Sequence, residues 1–292
     1  MGYEWLALIS AALWALTSLI SVTPAQHLGA FSYSRWRMAV VTVILALLSL
    51  FTQGLKSIHG VDFIWLISSG VIGIFFGDTA LFACMNRIGP RRAQLLFTCN
   101  AIFSPVFGIL FFHETLSLTQ LAGATLLLIG VALAILFGRN QSNRWEAIRG
   151  PLMIAILLGL ASALGQSLGS VLAKPAMHAN TDAISASMIR MASALLAHLI
   201  LWWRAPQLAR SIHPMNRSIF KYVFANGFLA MAVGMTLILY ALRHGDVGLV
   251  ALFSATTPIM ILPMLWFYTK QAPTRSAWVA SALVVVGTGF LL

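Results

Sequence analysis

Charge is what this chain has least of. Asp and Glu together number 7 in 292 residues, and all charged residues make up 9% of the chain, against about 25% in an ordinary soluble domain. So few ionic groups cannot clothe a water-facing surface. With 60% of residues hydrophobic and a mean hydropathy of +0.89, the bilayer is the expected solvent. Cysteine is scarce as well. Cys84 and Cys99 lie in or beside apolar runs; they make no metal-ligand spacing and no disulfide framework, and read as small buried hydrophobes. No metal or cofactor is expected. An ATP-binding glycine loop is missing, and so is any cluster of catalytic groups on one run. The first apolar run has no basic leader segment and no clear cleavage site, so it reads as a retained span.

The net charge of +11 forms neither a stripe nor a basic arm, which argues against a nucleic-acid partner. The basic residues instead punctuate the gaps between apolar runs, the pattern that orients a membrane protein. Ten runs are long enough to cross the hydrocarbon core, which takes about 20 residues each. They lie near 4–22, 33–53, 62–85, 93–112, 116–137, 151–173, 183–203, 219–241, 247–267 and 274–292. The expected fold is all-α: a polytopic membrane protein of ten transmembrane helices. The longest polar link, 138–151, falls near the midpoint and leaves no room for a soluble domain.

A midpoint linker between five spans and five spans invites a search for a repeat. Gly70, Gly77 and Thr79 match Gly227, Gly234 and Thr236 at a separation of 157 residues, and Gly130 matches Gly287 at the same separation. "RMA" from Arg37 matches "RMA" from Arg190, and Pro105 matches Pro258, both at 153; Pro24 matches Pro175 at 151. The matches fall in order along both halves, with the small drift that loop insertions produce. Five is odd, so the second half enters the membrane from the opposite side. The expectation is two inverted five-helix units, 1–138 and 150–292, with a central cavity between them lined by spans one, three, four, six, eight and nine.

The fourth and fifth spans read "AQLLFTCNAIFSPVFGILFFHETLSLTQLAGATLLLIGVALAI". A small-and-apolar helix containing Pro105, then Glu114 in a tight turn, then "LAGATLLLIGVALA" resembles the EamA-like family of the drug/metabolite transporter superfamily. The second half repeats it as "LVALFSATTPIMILPMLWFYTKQAPTRSAWVASALVVVGTGFLL". The resemblance covers nearly the whole chain and says little about substrate. It implies export of small organic metabolites, amino acids or toxic compounds. The missing ATP-binding loop implies a proton gradient or solute exchange as the drive, and a monomer in a bacterial inner membrane is expected. This chain departs from a duplicated pattern at one place: Glu114 aligns with Gln271.

Polar residues inside the spans are the candidate substrate contacts. Asp78 comes first, because a charge at a helix centre costs about 2.5–3.5 kcal/mol and should face a cavity or a partner. Gly70 and Gly77 share one face of its helix, and close packing on that face turns Asp78 toward the interior. A structural ion pair is the competing reading. Arg37 and Arg190 occupy equivalent places; Arg37, with Arg35 beside it, reads as snorkelling to the headgroups, and Arg190 as a contact to an anionic group or a partner for Asp78. Trp14, Gln166, Asn100 and Tyr240 complete the set as weaker candidates for cavity walls; packing against a neighbouring helix is the better reading for each. His198 reads as interfacial, and Glu114 as a helix-capping, loop-fixing residue.

"GQSLG" at 165–169 fits the G-x-S-x-G nucleophile pattern in the wrong context: an elbow needs a strand and a sharp turn, whereas here Gly165 and Gly169 make a small-xxx-small pair on an apolar helix. A membrane-embedded enzyme therefore stands behind a transporter. So does a channel or scaffold, since two inverted halves supply no filter-like ring. The charges set a further expectation. Lys56, Lys174 and Arg243 fall on one side of the membrane. Arg87, Arg91, Arg92, Arg139, Arg144, Arg149, Arg204, Arg210, Arg217, Lys221, Lys270 and Arg275 fall on the other, and the bias places that other side in the cytoplasm. Members of the family are usually drawn the opposite way, with both termini in the cytoplasm.

Overall fold

The computed structural model describes residues 3–115, 117–136, 150–179, 181–270, 278–280, 282–283, 286–287 and 290. The described residues are helical with short connections, and no strand occurs among them. In chain order the helices are α1 (Leu6–Leu28), α2 (Ala30–Thr52), α3 (Gly60–Ile88), α4 (Pro90–Phe97), α5 (Asn100–Phe112), α6 (Leu118–Leu136), α7 (Leu152–His178), α8 (Ala183–Arg204), α9 (Arg217–His244), α10 (Val247–Ser254) and α11 (Thr257–Thr269). Seven stretches of the described residues are long and apolar enough to cross a bilayer. The fourth and ninth apolar runs of the sequence each fold as two helices, α4–α5 and α10–α11. The linker at 138–149 and most of the tenth run, 274–292, lie outside the described residues.

The bundle turns the soluble pattern inside out. On α5 the buried face carries Ala101, Ser104, Pro105 and Gly108, while Ile102, Val106 and Ile109 are exposed. Small and weakly polar residues let backbones approach where helices meet, and the large apolar ones face hydrocarbon. One close approach joins α3 to α7. A Cβ at Gly169 would lie 2.8 Å from the Gly73 Cα, and one at Gly165 2.9 Å from the Gly77 Cα, so no larger residue fits at this crossing without moving a helix.

Element boundaries recur 157 residues apart. Within α3 the backbone widens to a π-helix over Gly70–Asp78, and within α9 over Gly227–Met235. The break between α4 and α5 at Thr98–Cys99 has its counterpart between α10 and α11 at Ala255–Thr256. Left-handed His113 (φ 54°) ends α5, and left-handed Lys270 (φ 57°) ends α11. Contacts recur too: Gly70 lies against the Arg190 backbone and Gly227 against the Arg37 backbone, and α2 packs on α8. π-turns inside α-helices are rare and concentrate at functional sites; here each lies where its helix passes the centre of the bundle.

The chain reverses direction at every long helix, which sorts the connections onto two faces. Face one carries 53–59, 113–115, 117, 179, 181–182 and 245–246; there Ser57 Oγ accepts from the Asp182 N–H at 2.9 Å. Face two carries Gly29, Gly89 and 205–216; there the Ile212 N–H donates to Leu28 O at 3.2 Å and Asn86 Nδ2 to Ala25 O at 3.0 Å.

Candidate functional site

A pocket lies in the middle of the bundle. Its lining begins at mid-bundle with Trp14, Gly73, Gln166 and Met235. From there it runs toward face two, past Ser18 and Asn226, to Ser21, Met85 and Gln94. The walls come from α1, α2, α3, α4, α7 and α9. Among the described residues the expected ninth span contributes no wall residue, and α2, which was not expected, contributes Arg37.

Arg37 sits on the cavity wall in an ion pair with Asp78, the two side chains 2% and 12% exposed. The arginine enters from α2 and the carboxylate stands at the end of the π-turn of α3. Arg37 Nη1 also donates to Asn226 Oδ1 at 3.0 Å, and Asn226 Nδ2 donates to the Thr17 carbonyl at 2.9 Å. Four helices, α1, α2, α3 and α9, are thereby tied into one polar chain. The Arg37 guanidinium lies 4.5 Å from the centroid of the Phe82 ring, a cation–π contact that helps hold it in a low-dielectric site.

The rest of the wall is aromatic, thioether and amide. Trp14 Nε1 donates to the Ala230 carbonyl at 2.9 Å, and Ser10 Oγ to the Gly234 carbonyl at 2.9 Å, so α1 docks on the π-turn of α9. Phe97 meets Trp14 edge to face at 6.2 Å. Gln94 is 5% exposed, and its Oε1 has no hydrogen-bond partner, which leaves an acceptor free at the wall.

Three of the six candidate residues come together here: Trp14, Asp78 and Gln166. The other three do not line the cavity. Asn100 begins α5 and its carbonyl accepts from Ser167 Oγ at 3.3 Å. Tyr240 meets Tyr3 edge to face and packs at a tilt against His244 on face one. Arg190 is 1% exposed behind Gly73, with its Nε and Nη2 unpartnered. The ion-pair partner of Asp78 is Arg37, not Arg190, and Arg37 does not snorkel. Its position two turns inside the span puts it level with the in-membrane acid. His198 is not interfacial either: it is 1% exposed, with Nε2 3.3 Å from Thr79 Oγ1 and its ring against Phe75. The signal for Arg37 was present in the sequence, since a lone carboxylate in one span requires a cation at the same depth in another.

Ser167 of the "GQSLG" segment accepts from Ser104 Oγ at 2.9 Å and donates to the Asn100 carbonyl. No base reaches it in these contacts, and Gly165 and Gly169 serve the α3–α7 crossing. Among the described residues no group of three His, Cys, Asp or Glu side chains could hold a metal ion.

A model of the EamA-like transporter family matches residues 1–136 and 153–292. The chain belongs to the EamA-like transporter family. Among curated proteins it is similar to an uncharacterized transporter of Haemophilus influenzae, at 30% identity over 171 residues, 56% of this chain and 52% of that one. It is also similar to the uncharacterized transporter YyaM of Bacillus subtilis, at 24% identity over 41% of this chain and 39% of that one. The chain spans about half the length, or less, of these curated relatives. A solved crystal structure shares the fold, with a TM-score of 0.78 at 19% identity, covering 99% of this chain and 95% of that one. As an EamA-like protein with several long apolar helices, the chain is an integral membrane protein.

Proposed function

We propose that this EamA-like protein is a secondary transporter that moves a small organic solute, such as an amino acid or related metabolite, by alternating access between two inverted five-helix halves. The observation that carries the reading is the cavity: a mid-bundle site walled by helices of both halves and holding an ion pair. The recurrence of π-turns, helix breaks and left-handed caps at one separation supports the inverted repeat, the plan on which many transporters place a site between two rocking units. Trp14, Asp78 and Gln166 are the solute contacts from the candidate set, joined by Gln94 and Phe97. Transport is export, coupled to protons or to exchange, by a monomer in a bacterial inner membrane, with face two in the cytoplasm as the charge bias requires.

The test is flux. Solutes that raise the melting temperature of the purified protein are identified first, and their labelled forms are then followed into proteoliposomes with and without an imposed pH gradient. Saturable uptake above that of protein-free vesicles supports the reading. A linear, non-saturating flux favours a channel, and chemical conversion of the solute favours an enzyme.

A further inference from the structure

The strongest electrostatic knot outside the cavity lies on face one. Lys174, at the end of α7, is 1% exposed and is paired with Glu114, 7% exposed, from the turn after α5. The Lys174 ammonium also lies 5.0 Å from the Phe112 ring centroid and 3.8 Å from Asp246 Oδ1. Glu114 accepts two further bonds, from the Val247 N–H at 3.0 Å and the Gly248 N–H at 3.3 Å. Those are the first free amides of α10, where the helix dipole favours an anion. Gly108 makes the arrangement possible, because a Cβ there would collide with the Glu114 carboxylate. One carboxylate of the first half thus fastens the end of α7 and the start of α10, both in the second half. Directly beneath, Gly248 packs on Pro105, with a Cβ-to-Cα approach of 3.2 Å.

Face two carries different residues at the matching places. At the separation of 157, Gln271 stands for Glu114, Gly89 for Asp246 and Pro90 for Val247. At the separation that pairs Pro24 with Pro175, Thr23 stands for Lys174. There the acid is an amide, the buried cation is a hydroxyl, and the first capping N–H is a proline, which has none to give. The lining of the cavity runs from mid-bundle toward face two, and the knot on face one lies outside that lining.

We propose that Glu114 and Lys174 form the gate that closes the cavity toward face one, so that with this gate locked the transporter opens toward face two. This rests on the alternating-access reading and gives it a loading side: a solute enters from face two and leaves when the lock parts. The cost of parting two buried charges makes the face-one-open state the minor one.

The experiment reads accessibility, so it needs no solute. In a chain with Cys84 and Cys99 replaced by alanine, the single reporter Ser18→Cys lies in the cavity. Its reaction with a membrane-impermeant thiol reagent is timed with the reagent added on either face of sealed, oriented vesicles. The reporter should react from face two and on the order of tenfold more slowly from face one. Glu114→Gln and Lys174→Gln should raise the face-one rate severalfold. So should Gly108→Ala, which displaces the carboxylate without removing it. An unchanged face-one rate in variants that remain monodisperse overturns the gate, as does equal reactivity from both faces in the parent. A reporter that reacts from neither face removes the cavity as a solute site, and the proposed function falls with the gate.

Discussion

The guanidinium of Arg37 and the carboxylate of Asp78 pair inside the membrane-spanning bundle, on the wall of its central cavity. Two charges taken this far from water hold each other in place, and removing one leaves the other buried and uncompensated, at a cost of about 3–5 kcal/mol. Replacing both by apolar residues of similar volume is often close to neutral. This difference separates a structural pair from a working one.

Asp78→Asn should therefore lower the melting temperature and reduce transport at least about tenfold across a range of pH. The double variant Arg37→Met with Asp78→Leu should regain most of the stability and none of the transport. Thermal denaturation and proteoliposome flux on the same preparations check this. Transport returning together with stability would make the pair a packing feature only.

The α3–α7 crossing gives a stability prediction far from the charges. Gly169→Ala sets a methyl against the Gly73 backbone, a small-to-large change of the kind that costs about 1–3 kcal/mol. Its melting temperature should fall, whereas Gly150→Ala, where a Cβ meets nothing within 4 Å, marks the cost of a left-handed glycine alone.

Gln94 offers a cleaner probe of solute contact. Its Oε1 makes no internal hydrogen bond, so Gln94→Leu forfeits nothing from that atom in the empty protein. Stability should stay within about 0.5 kcal/mol, while the apparent affinity for the solute should drop about two- to tenfold, the worth of one hydrogen bond. An unchanged affinity, read by thermal shift against solute concentration, would remove Gln94 from the site.

Much of the fold was legible because bilayer-length apolar runs and repeated glycines are strong one-dimensional signals. Gly70, Gly77, Gly227 and Gly234 marked the two central helices, and in the structure they sit in the π-turns. Trp14, Asp78 and Gln166 were legible because polar groups in a span need an interior to face. Arg37 was missed because Arg35 lies beside it and local context suggested the headgroups; depth, not neighbourhood, decides its partner. The Glu114–Lys174 knot was hidden for another reason. Its members are 60 residues apart in the chain, and only the packing of one half on the other brings them together. Glu114 was read as a cap, and it is one, but for α10 in the opposite half.

Orientation follows from the basic residues of face two. Ser142, in the linker outside the described residues, should lie in the cytoplasm. Ser142→Cys, with Cys84 and Cys99 removed, should resist an impermeant thiol reagent in intact cells and react after permeabilisation. Labelling in intact cells would reverse the orientation and turn the face-two-open state outward.

Alternating access is tested most directly by counterflow. Proteoliposomes are loaded with unlabelled solute and diluted into a trace of the labelled form, with no ion gradient imposed. A carrier that reorients faster with its site filled should draw label in to a transient overshoot above the outside concentration, and Asp78→Asn should abolish the overshoot. Label that only equilibrates, at a rate indifferent to the solute inside, would contradict a carrier and return the protein to the class of channels.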